Sequence, residues 1–278
     1  MKRTGFGRWA AGNPKLVLGG VMLAALLLTA AFGPMFCANP PDYLYDEMLL
    51  APCAAHPFGT DGVGCDVLTM VIYGARTSLK IGMLVAVLSS VIGVAVGGVS
   101  GYLGGAVDRV ISEILNVLMM VPSFFLMVLA IAVYGSSINN MILVMALTSW
   151  AGSARLMRGQ AMAIREKAFI KNMEVLGQSR WKIIFFHIVP NCLFTIVVDM
   201  SMAVSAAILS EAGLSFLGLG DPNVVSWGKV ISLGRRYLPS CWWIGLFPGV
   251  AIILTSLAFH LLGDGVNHMV DRRGRDMV

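Results

Sequence analysis

Long runs of apolar residues, separated by short polar segments, dominate the chain and predict its class. A helix needs about 20 apolar residues to cross a bilayer, and six runs are long enough to do so. These runs are Leu16 to Phe36, Leu79 to Tyr102, Ile114 to Tyr134, Ile138 to Met157, Cys192 to Ser210 and Cys241 to Leu262. The pattern therefore predicts an all-α polytopic membrane protein with six transmembrane helices.

The composition agrees with that class. Of the 278 residues, 57% are hydrophobic and 13% are charged, whereas soluble proteins carry about 25% charged residues. Four basic residues precede the first run, as in a signal peptide, but the run is longer than a secretory apolar region and no clear small-residue cleavage site follows it. We therefore expect a retained first helix.

Charge asymmetry predicts the orientation of the helices. The segment from Cys37 to Met70 holds acidic residues and no basic one, whereas the segment from Arg155 to Pro190 is strongly basic. Basic loops stay on the cytoplasmic side, so both chain ends are expected there, and orientation accounts for the net charge of +5 without nucleic acid. The expected layout is a cytoplasmic segment 1–15, a first helix 16–36, an external loop 37–78, a five-helix core 79–263 with a cytoplasmic loop 158–190, and a cytoplasmic tail 264–278.

The motifs of common enzymes are missing. Gly228-Lys229 is followed by Val230 and lacks the upstream glycine of a phosphate-binding loop, and the four histidines fit no metal-ligand spacing. Asp199, Ser205 and Glu211 are the candidates for a polar path through the membrane. An intramembrane carboxylate must face the bundle interior or water. Asp199 is therefore predicted either to line a cargo path or to form a polar contact between helices.

Small residues and prolines within the runs predict how the helices pack and bend. Gly93, Gly97, Gly101 and Gly105 recur every four residues, which predicts one smooth helix face for the close approach of another helix. Pro122 in the third run and Pro248 in the sixth are expected to kink their helices.

The basic loop from Glu166 to Asn191 is predicted to form a helix, a glycine turn and a second helix. Gly177 ends the first stretch, and Pro190 is suited to the start of the next spanning helix. We expect Trp181, Ile184 and Phe185 to be exposed, which indicates a protein partner. The alternative is an interfacial helix on lipid with its basic residues at the headgroups.

The predicted external loop contains Cys53, His56 and Cys65. Three interpretations stay open for it. The two cysteines form a disulfide, as an oxidising compartment allows, or they are free thiols, or they bind a soft metal together with His56.

Longer stretches of the chain resemble a known family of membrane proteins. The stretches are HPFGTDGVGCDVLTMVIYGARTSL from His56, GYLGG from Gly101, HIVPN from His187, SEAGLSFLGLGDPNVVSWG from Ser210 and FPGVAIILTSLAFHLLGDGVNHMVDRR from Phe247. They resemble the second permease of ABC importers of the dipeptide, oligopeptide and nickel group. The resemblance implies the type I ABC-importer permease fold with a loop that docks on a separate ATPase. The implied coupling residues are Glu174, Gly177, Arg180, Trp181, Ile184, His187 and Pro190.

The resemblance also implies a function and a set of partners. The chain would be a permease subunit in the inner membrane that moves dipeptides or oligopeptides, with nickel or another metal chelate as the alternative cargo. A second permease, two cytoplasmic ATPases that bind ATP and Mg, and an external solute-binding protein would complete the importer. The chain itself would be no enzyme and hold no cofactor. A secondary transporter is a further alternative, although no inverted repeat is evident in the sequence.

Overall fold

A computed structural model describes residues 13–275, with side chains to His268, and these residues form helices whose longest connection is 37–66. The predicted all-helical class is therefore confirmed for the described residues. A 3-10 turn, Gly33–Phe36, follows the first helix, and a π-helical turn, Ile184–Ile188, follows the seventh. The helices are α1 Pro14–Phe32, α2 Val67–Leu103, α3 Gly105–Met120, α4 Ser123–Tyr134, α5 Ile138–Arg165, α6 Ala168–Val175, α7 Arg180–Ile183, α8 Val189–Asn191, α9 Leu193–Phe216, α10 Trp227–Gly234 and α11 Trp243–Arg275.

Four helical segments in the described part are long and apolar enough to cross a membrane. They are Pro14–Phe36, Val67–Leu103, Leu193–Phe216 and Trp243–His268, and the bent pair α3 and α4 is a fifth if it counts as one span. The predicted fourth span, Ile138 to Met157, lies within α5, whose Asn139, Asn140 and Arg155 make it more polar than the others. The count of six spans therefore stays a prediction.

Several helices extend beyond the apolar runs that predicted them. α2 begins at Val67, twelve residues before Leu79, because the side chain of Asp66 caps it by accepting a hydrogen bond of 2.8 Å from the backbone N–H of Thr69. α3 begins at Gly105 rather than near Ile114, and α11 continues through the predicted tail to Arg275. Hydropathy locates the membrane-crossing part of a helix, whereas backbone hydrogen bonds continue through polar turns. Of the four basic residues that precede the first run, Lys2, Arg3 and Arg8 lie outside the described residues.

The two prolines behave differently. At Pro122 the chain breaks between α3 and α4, and the two helices meet at 80°, which confirms the predicted kink and makes it sharper than a bend within one helix. Pro248 lies inside the continuous helix α11, in its second turn. A backbone N–H at this sixth helical position would donate to the carbonyl four residues earlier, so Pro248 removes one hydrogen bond of α11. The kink at Pro248 stays a prediction.

The glycine face of α2 packs against α5, as predicted. A Cβ atom on Gly93 would lie 2.6 Å from the Cβ of Ser153, and one on Gly97 would lie 2.9 Å from the backbone N of Arg158. Gly105 does not belong to this face, and its inclusion in the prediction was wrong. α2 ends at Leu103, and Gly105 starts α3 with φ +57° and open space around it.

α2 is the central helix, and each of its two ends packs into a different cluster of buried hydrophobic residues. Its 37 residues span about 55 Å, at 1.5 Å per residue. At its start, Val67 and Met70 pack with Cys65, Trp243 and Ile244. At its other end, Tyr102 packs with residues of α5, α6 and the segment 183–192. The predicted external loop and the predicted cytoplasmic loop therefore lie at opposite ends of the molecule.

The first and last spanning helices pack against each other. A Cβ atom on Gly19 of α1 would lie 2.9 Å from the backbone O of Ala258 in α11, so the two backbones approach closely there. Lys15 and Asp264 form an exposed ion pair of 2.9 Å at the same end of this helix pair. α1 is therefore part of the bundle.

Candidate functional site

The segment after α5 forms the predicted helix, glycine turn and helix. α6 ends in a Schellman motif, in which the backbone N–H of Gly177 donates to Glu174 O at 3.0 Å and that of Gln178 donates to Met173 O at 3.1 Å. Gly177 has φ +74°, in the left-handed region that favours glycine. Ser179 then caps α7, because its side chain accepts a hydrogen bond from the backbone N–H of Lys182.

Large apolar side chains surround this turn and point into solvent. We call them the apolar turn surface: Val175, Leu176, Trp181, Phe185 and Phe186, with exposed fractions of 87%, 80%, 60%, 46% and 72%. The rings of Trp181 and Phe185 stack with their centroids 6.2 Å apart. Apolar groups gathered at this density on a turn indicate a surface that another molecule covers.

Ile184 is not part of that surface, and its predicted exposure was wrong. Its side chain is fully buried, together with Ile183 and Ile188, against Tyr102 of α2. The π-helical turn Ile184–Ile188 explains why Ile184 is buried. Its backbone hydrogen bonds join residues five apart rather than four, which changes the side chains that face inward. Phe186 takes the exposed position instead, and no pattern in the sequence marks it.

The other predicted coupling residues lie around the apolar turn surface in different roles. Glu174 accepts a hydrogen bond of 2.9 Å from the hydroxyl of Tyr102, which ties α6 to the end of α2. Arg180 lines a cleft of about 410 Å³ with Glu174 and Tyr102. His187 Nε2 is buried and has no hydrogen-bond partner among the described residues, and Pro190 lies in the short helix α8 rather than at the start of α9.

An ion pair joins three helices close to this end of α2. Arg158 of α5 donates from Nε to Asp108 Oδ1 at 2.5 Å and from Nη2 to Asp108 Oδ2 at 2.7 Å. Ser100 of α2 donates to the same carboxylate at 2.6 Å. A bidentate arginine–carboxylate contact fixes the relative orientation of the two side chains as well as their distance. Together with the hydrogen bond from Ser100, it fixes the positions of α2, α3 and α5 relative to one another at this point. The sequence contains no spacing that predicts this contact.

Exposed charges also pair on the loop itself. Lys171 Nζ lies 2.9 Å from Glu166 Oε2. The hydrogen bond and the positive charge of Lys171 lower the pKa of the Glu166 carboxyl below its ordinary value. Because both side chains are in solvent, this pair contributes little to stability.

Asp199 lines a cavity of about 280 Å³ between α2, α4, α5 and α9. Its Oδ2 accepts a hydrogen bond of 2.5 Å from the hydroxyl of Ser153. Asp199 is the one charged residue in the lining of this cavity. The remaining polar lining consists of serine hydroxyls, from Ser89, Ser123, Ser149, Ser153 and Ser210.

The two other candidates for the polar path lie elsewhere. Ser205 is buried against α11, where its hydroxyl donates to Ser256 O at 3.4 Å. Glu211 is 1% exposed, and its Oε1 accepts hydrogen bonds of 2.7 Å from both Ser215 and Ser226. Glu211 therefore connects α9 to the start of α10, whose capping residue is Ser226.

The structure does not bring Cys53, His56 and Cys65 together as a metal site. His56 Nδ1 lies 2.9 Å from Asp66 Oδ1, Cys53 is exposed and Cys65 is buried. Both thiols are free, and the described residues contain no group of three or more potential ligands arranged for a metal ion. Burial, followed by the negative charge of Asp61, raises the pKa of the Cys65 thiol to about 11.

Comparison with known proteins decides the family. The family model described as "Binding-protein-dependent transport system inner membrane component" matches residues 90–276. The chain belongs to this family. The resemblance found in the sequence is thereby confirmed, and with it the type I ABC-importer permease fold.

Several transport permeases are similar to this chain over most of its length. The probable D,D-dipeptide transport system permease protein of Escherichia coli (strain K12) is 36% identical over 263 residues, or 94% of this chain and 88% of the relative. The oligopeptide transport system permease protein of Bacillus subtilis (strain 168) is 35% identical, over 95% of this chain and 87% of the relative. A dipeptide transport system permease protein of Alkalihalophilus pseudofirmus is 34% identical, over 93% and 86%. These relatives are permeases rather than enzymes, and the inner membrane component is a multi-pass membrane protein.

Proposed function

We propose that the chain is a permease subunit of an ATP-driven importer and that its cargo is short peptides. Three relatives that cover most of the chain carry dipeptide or oligopeptide transport in their names. The observation on the molecule itself that supports the proposal is the apolar turn surface, since a permease that is driven by separate ATPases needs a docking site for them.

The energy source lies outside this chain. The sequence contains no phosphate-binding loop, so ATP and Mg would be bound by two cytoplasmic ATPase subunits. A cleft on one of these ATPases would cover the apolar turn surface, and Arg180 and Lys182 beside it favour an acidic rim on that cleft. A second permease and an external solute-binding protein complete the assembly.

The proposed orientation follows from charge. The apolar turn surface lies on the basic segment 155–190, and basic segments stay in the cytoplasm. Both chain ends are then cytoplasmic, and the segment 37–66 that precedes α2 faces outward. The layout predicted from the sequence, with a core of 79–263 and a cytoplasmic loop of 158–190, belongs to the same proposal.

Transport would proceed by alternating access. When ATP closes the two ATPases, the docked loops of the two permeases move together. Tyr102 and Glu174 tie the loop to the end of α2, so this displacement passes to the central helix as a rigid-body movement. The bundle then opens outward to accept cargo from the binding protein.

Substitution of Gly177 tests the coupling role. Valine at φ +74° costs about 1–3 kcal/mol in backbone strain, whereas asparagine tolerates this conformation. No atom lies within 4 Å of a Cβ built at Gly177, so steric collision does not complicate the comparison. We expect Gly177→Val to lower the ATP hydrolysis that loaded binding protein stimulates in the assembled importer, and Gly177→Asn to retain most of it. Full stimulation with valine would contradict the coupling role.

Uptake by reconstituted vesicles tests the function itself. We expect labelled dipeptide to enter only when the second permease, the ATPases, the binding protein and ATP are all present. Uptake by this chain alone, driven by an ion gradient, would indicate a secondary transporter. Uptake of Ni²⁺ but not of dipeptide would indicate the metal-importer alternative.

A further inference from the structure

The cavity beside Asp199 has an acidic lining, and the proposed peptide transport does not by itself explain this. It lies between α2, α4, α5 and α9, and opens to the surface beside Ser123, Gly152, Met202 and Ala206, which are exposed. Its one charged lining residue is an acid. Among the described side chains, no lysine, arginine or histidine forms an ion pair with that acid.

Three of the five serine hydroxyls that line the cavity already donate a hydrogen bond within the protein. Ser149 donates to Met145 O at 2.6 Å, Ser89 donates to Ala86 O at 3.2 Å, and Ser153 donates to Asp199 Oδ2 at 2.5 Å. A hydroxyl has one proton and two lone pairs, so each of these side chains offers a ligand only an acceptor. Asp199 has a second oxygen, Oδ1, which likewise accepts. The polar lining that these residues form is negative and rich in acceptors.

The ligand that fits such a lining is a cation with several N–H donors. A primary ammonium has three donors and no acceptor, and its hydrogen bonds to a carboxylate are about twice as strong as those between neutral groups. A cargo carboxylate would find no basic partner in this lining. A peptide would therefore enter with its amino end toward Asp199.

Size and wall chemistry favour an organic ammonium over a bare metal ion. The cavity volume of about 280 Å³ is close to the lower limit of small-molecule pockets, which is about 300 Å³, and is much larger than an ion requires. Met127, Met145 and Met202 form much of its apolar wall. Methionine side chains adapt to different shapes. A wall of this kind can accommodate peptides whose first side chain, next to the ammonium, differs in size.

We infer that Asp199, with the acceptor hydroxyls of Ser89 and Ser149, binds the terminal ammonium of the peptide cargo during its passage. Ser153 orients the carboxylate by its hydrogen bond to Oδ2. This inference rests on the proposed peptide transport and adds the chemical group that the permease recognises.

The test uses the complete importer in proteoliposomes, with labelled dialanine as the probe. Asp199→Asn keeps the size of the side chain and its hydrogen bond from Ser153 but removes the charge. Ser153→Ala is the matched control, because it removes the bond between the helices and keeps the charge. Co-purification of the ATPases with each variant measures assembly.

We expect Asp199→Asn to assemble normally and to slow dialanine uptake at least tenfold, which corresponds to about 1.4 kcal/mol. Ser153→Ala should slow uptake less than Asp199→Asn does, because the charge remains although its orienting hydrogen bond is lost. Wild-type uptake by Asp199→Asn would overturn the inference, as would equal loss of assembly in both variants, which is the signature of a contact between helices.

Two further outcomes separate this inference from the function on which it rests. If Asp199→Asn slows Ni²⁺ uptake and spares dialanine, the carboxylate binds an inorganic cation and the ammonium assignment is wrong. If the wild-type importer transports no dialanine, the proposed peptide transport fails, and this inference fails with it. Failure of the inference alone requires a wild type that transports dialanine and an Asp199→Asn variant that transports it equally well.

Discussion

The contact between α2 and α5 can be tested with a pair of matched glycine substitutions. A Cβ at Gly97 would lie 2.9 Å from the backbone N of Arg158 and nearer still to Ala154 O, both of which are rigid backbone atoms. Gly159 also lies in a helix, α5, but apart from the adjacent residues and backbone of that helix no atom lies within 4 Å of its would-be Cβ. Gly97→Ala must therefore separate two helices, whereas Gly159→Ala fills open space.

The expected difference can be estimated from these distances. Overpacking costs about 1–3 kcal/mol, and rigid backbone on the far side places Gly97→Ala near the upper limit. Alanine in place of glycine gains about 0.8–1.0 kcal/mol of helix propensity at either position, so the gain cancels between the two variants. The remaining difference of about 3 kcal/mol corresponds to roughly 6–12 °C, at about 2–4 °C per kcal/mol.

Thermal unfolding of the detergent-solubilised importer measures this difference. We expect Gly97→Ala to melt well below Gly159→Ala, which should melt at or above the wild type. Melting temperatures within about 2 °C of each other would mean a difference under about 1 kcal/mol, and would refute the close backbone approach at Gly97.

Two further predictions concern the opposite ends of α2. Maleimide applied outside intact cells at pH 7.5 should label Cys53 but not Cys65. A raised pKa of about 11 keeps the buried Cys65 thiol protonated; equal labelling of both would contradict the described fold of the loop. Tyr102→Phe removes the donor to Glu174 and should reduce the uptake obtained per ATP, whereas Glu174→Gln keeps an acceptor and should not. Equal coupling ratios in all three proteins would exclude this contact from coupling.

Those parts of the fold that depend on residues close together in the sequence could be predicted. The apolar runs predicted where most of the spanning helices lie because hydropathy and span length are properties of single segments. Pro122 predicted a kink because the proline ring removes a backbone donor within the apolar run. The Gly177 turn was predictable for the same reason, since its Schellman motif uses only residues within six positions of one another.

Features that depend on the meeting of distant segments could not be predicted. Asp108 and Arg158 are fifty residues apart, and Tyr102 and Glu174 are seventy-two apart. The inward orientation of Ile184 depends on a π-helical turn, for which the sequence gives no signal. For Asp199 the residue type indicated a polar role, but the cavity that gives the role its chemistry is built from four separate helices.

The unbroken course of α2 has a mechanical consequence. A straight helix of 37 residues that tilts about its middle by about 10° moves each end by roughly 5 Å, since each half is about 27 Å long. The two ends move in opposite directions because the helix tilts about its middle as a rigid body. A movement that widens the bundle at one membrane surface by this route narrows it at the other. If α2 moves in this way during transport, the two openings exclude each other by geometry.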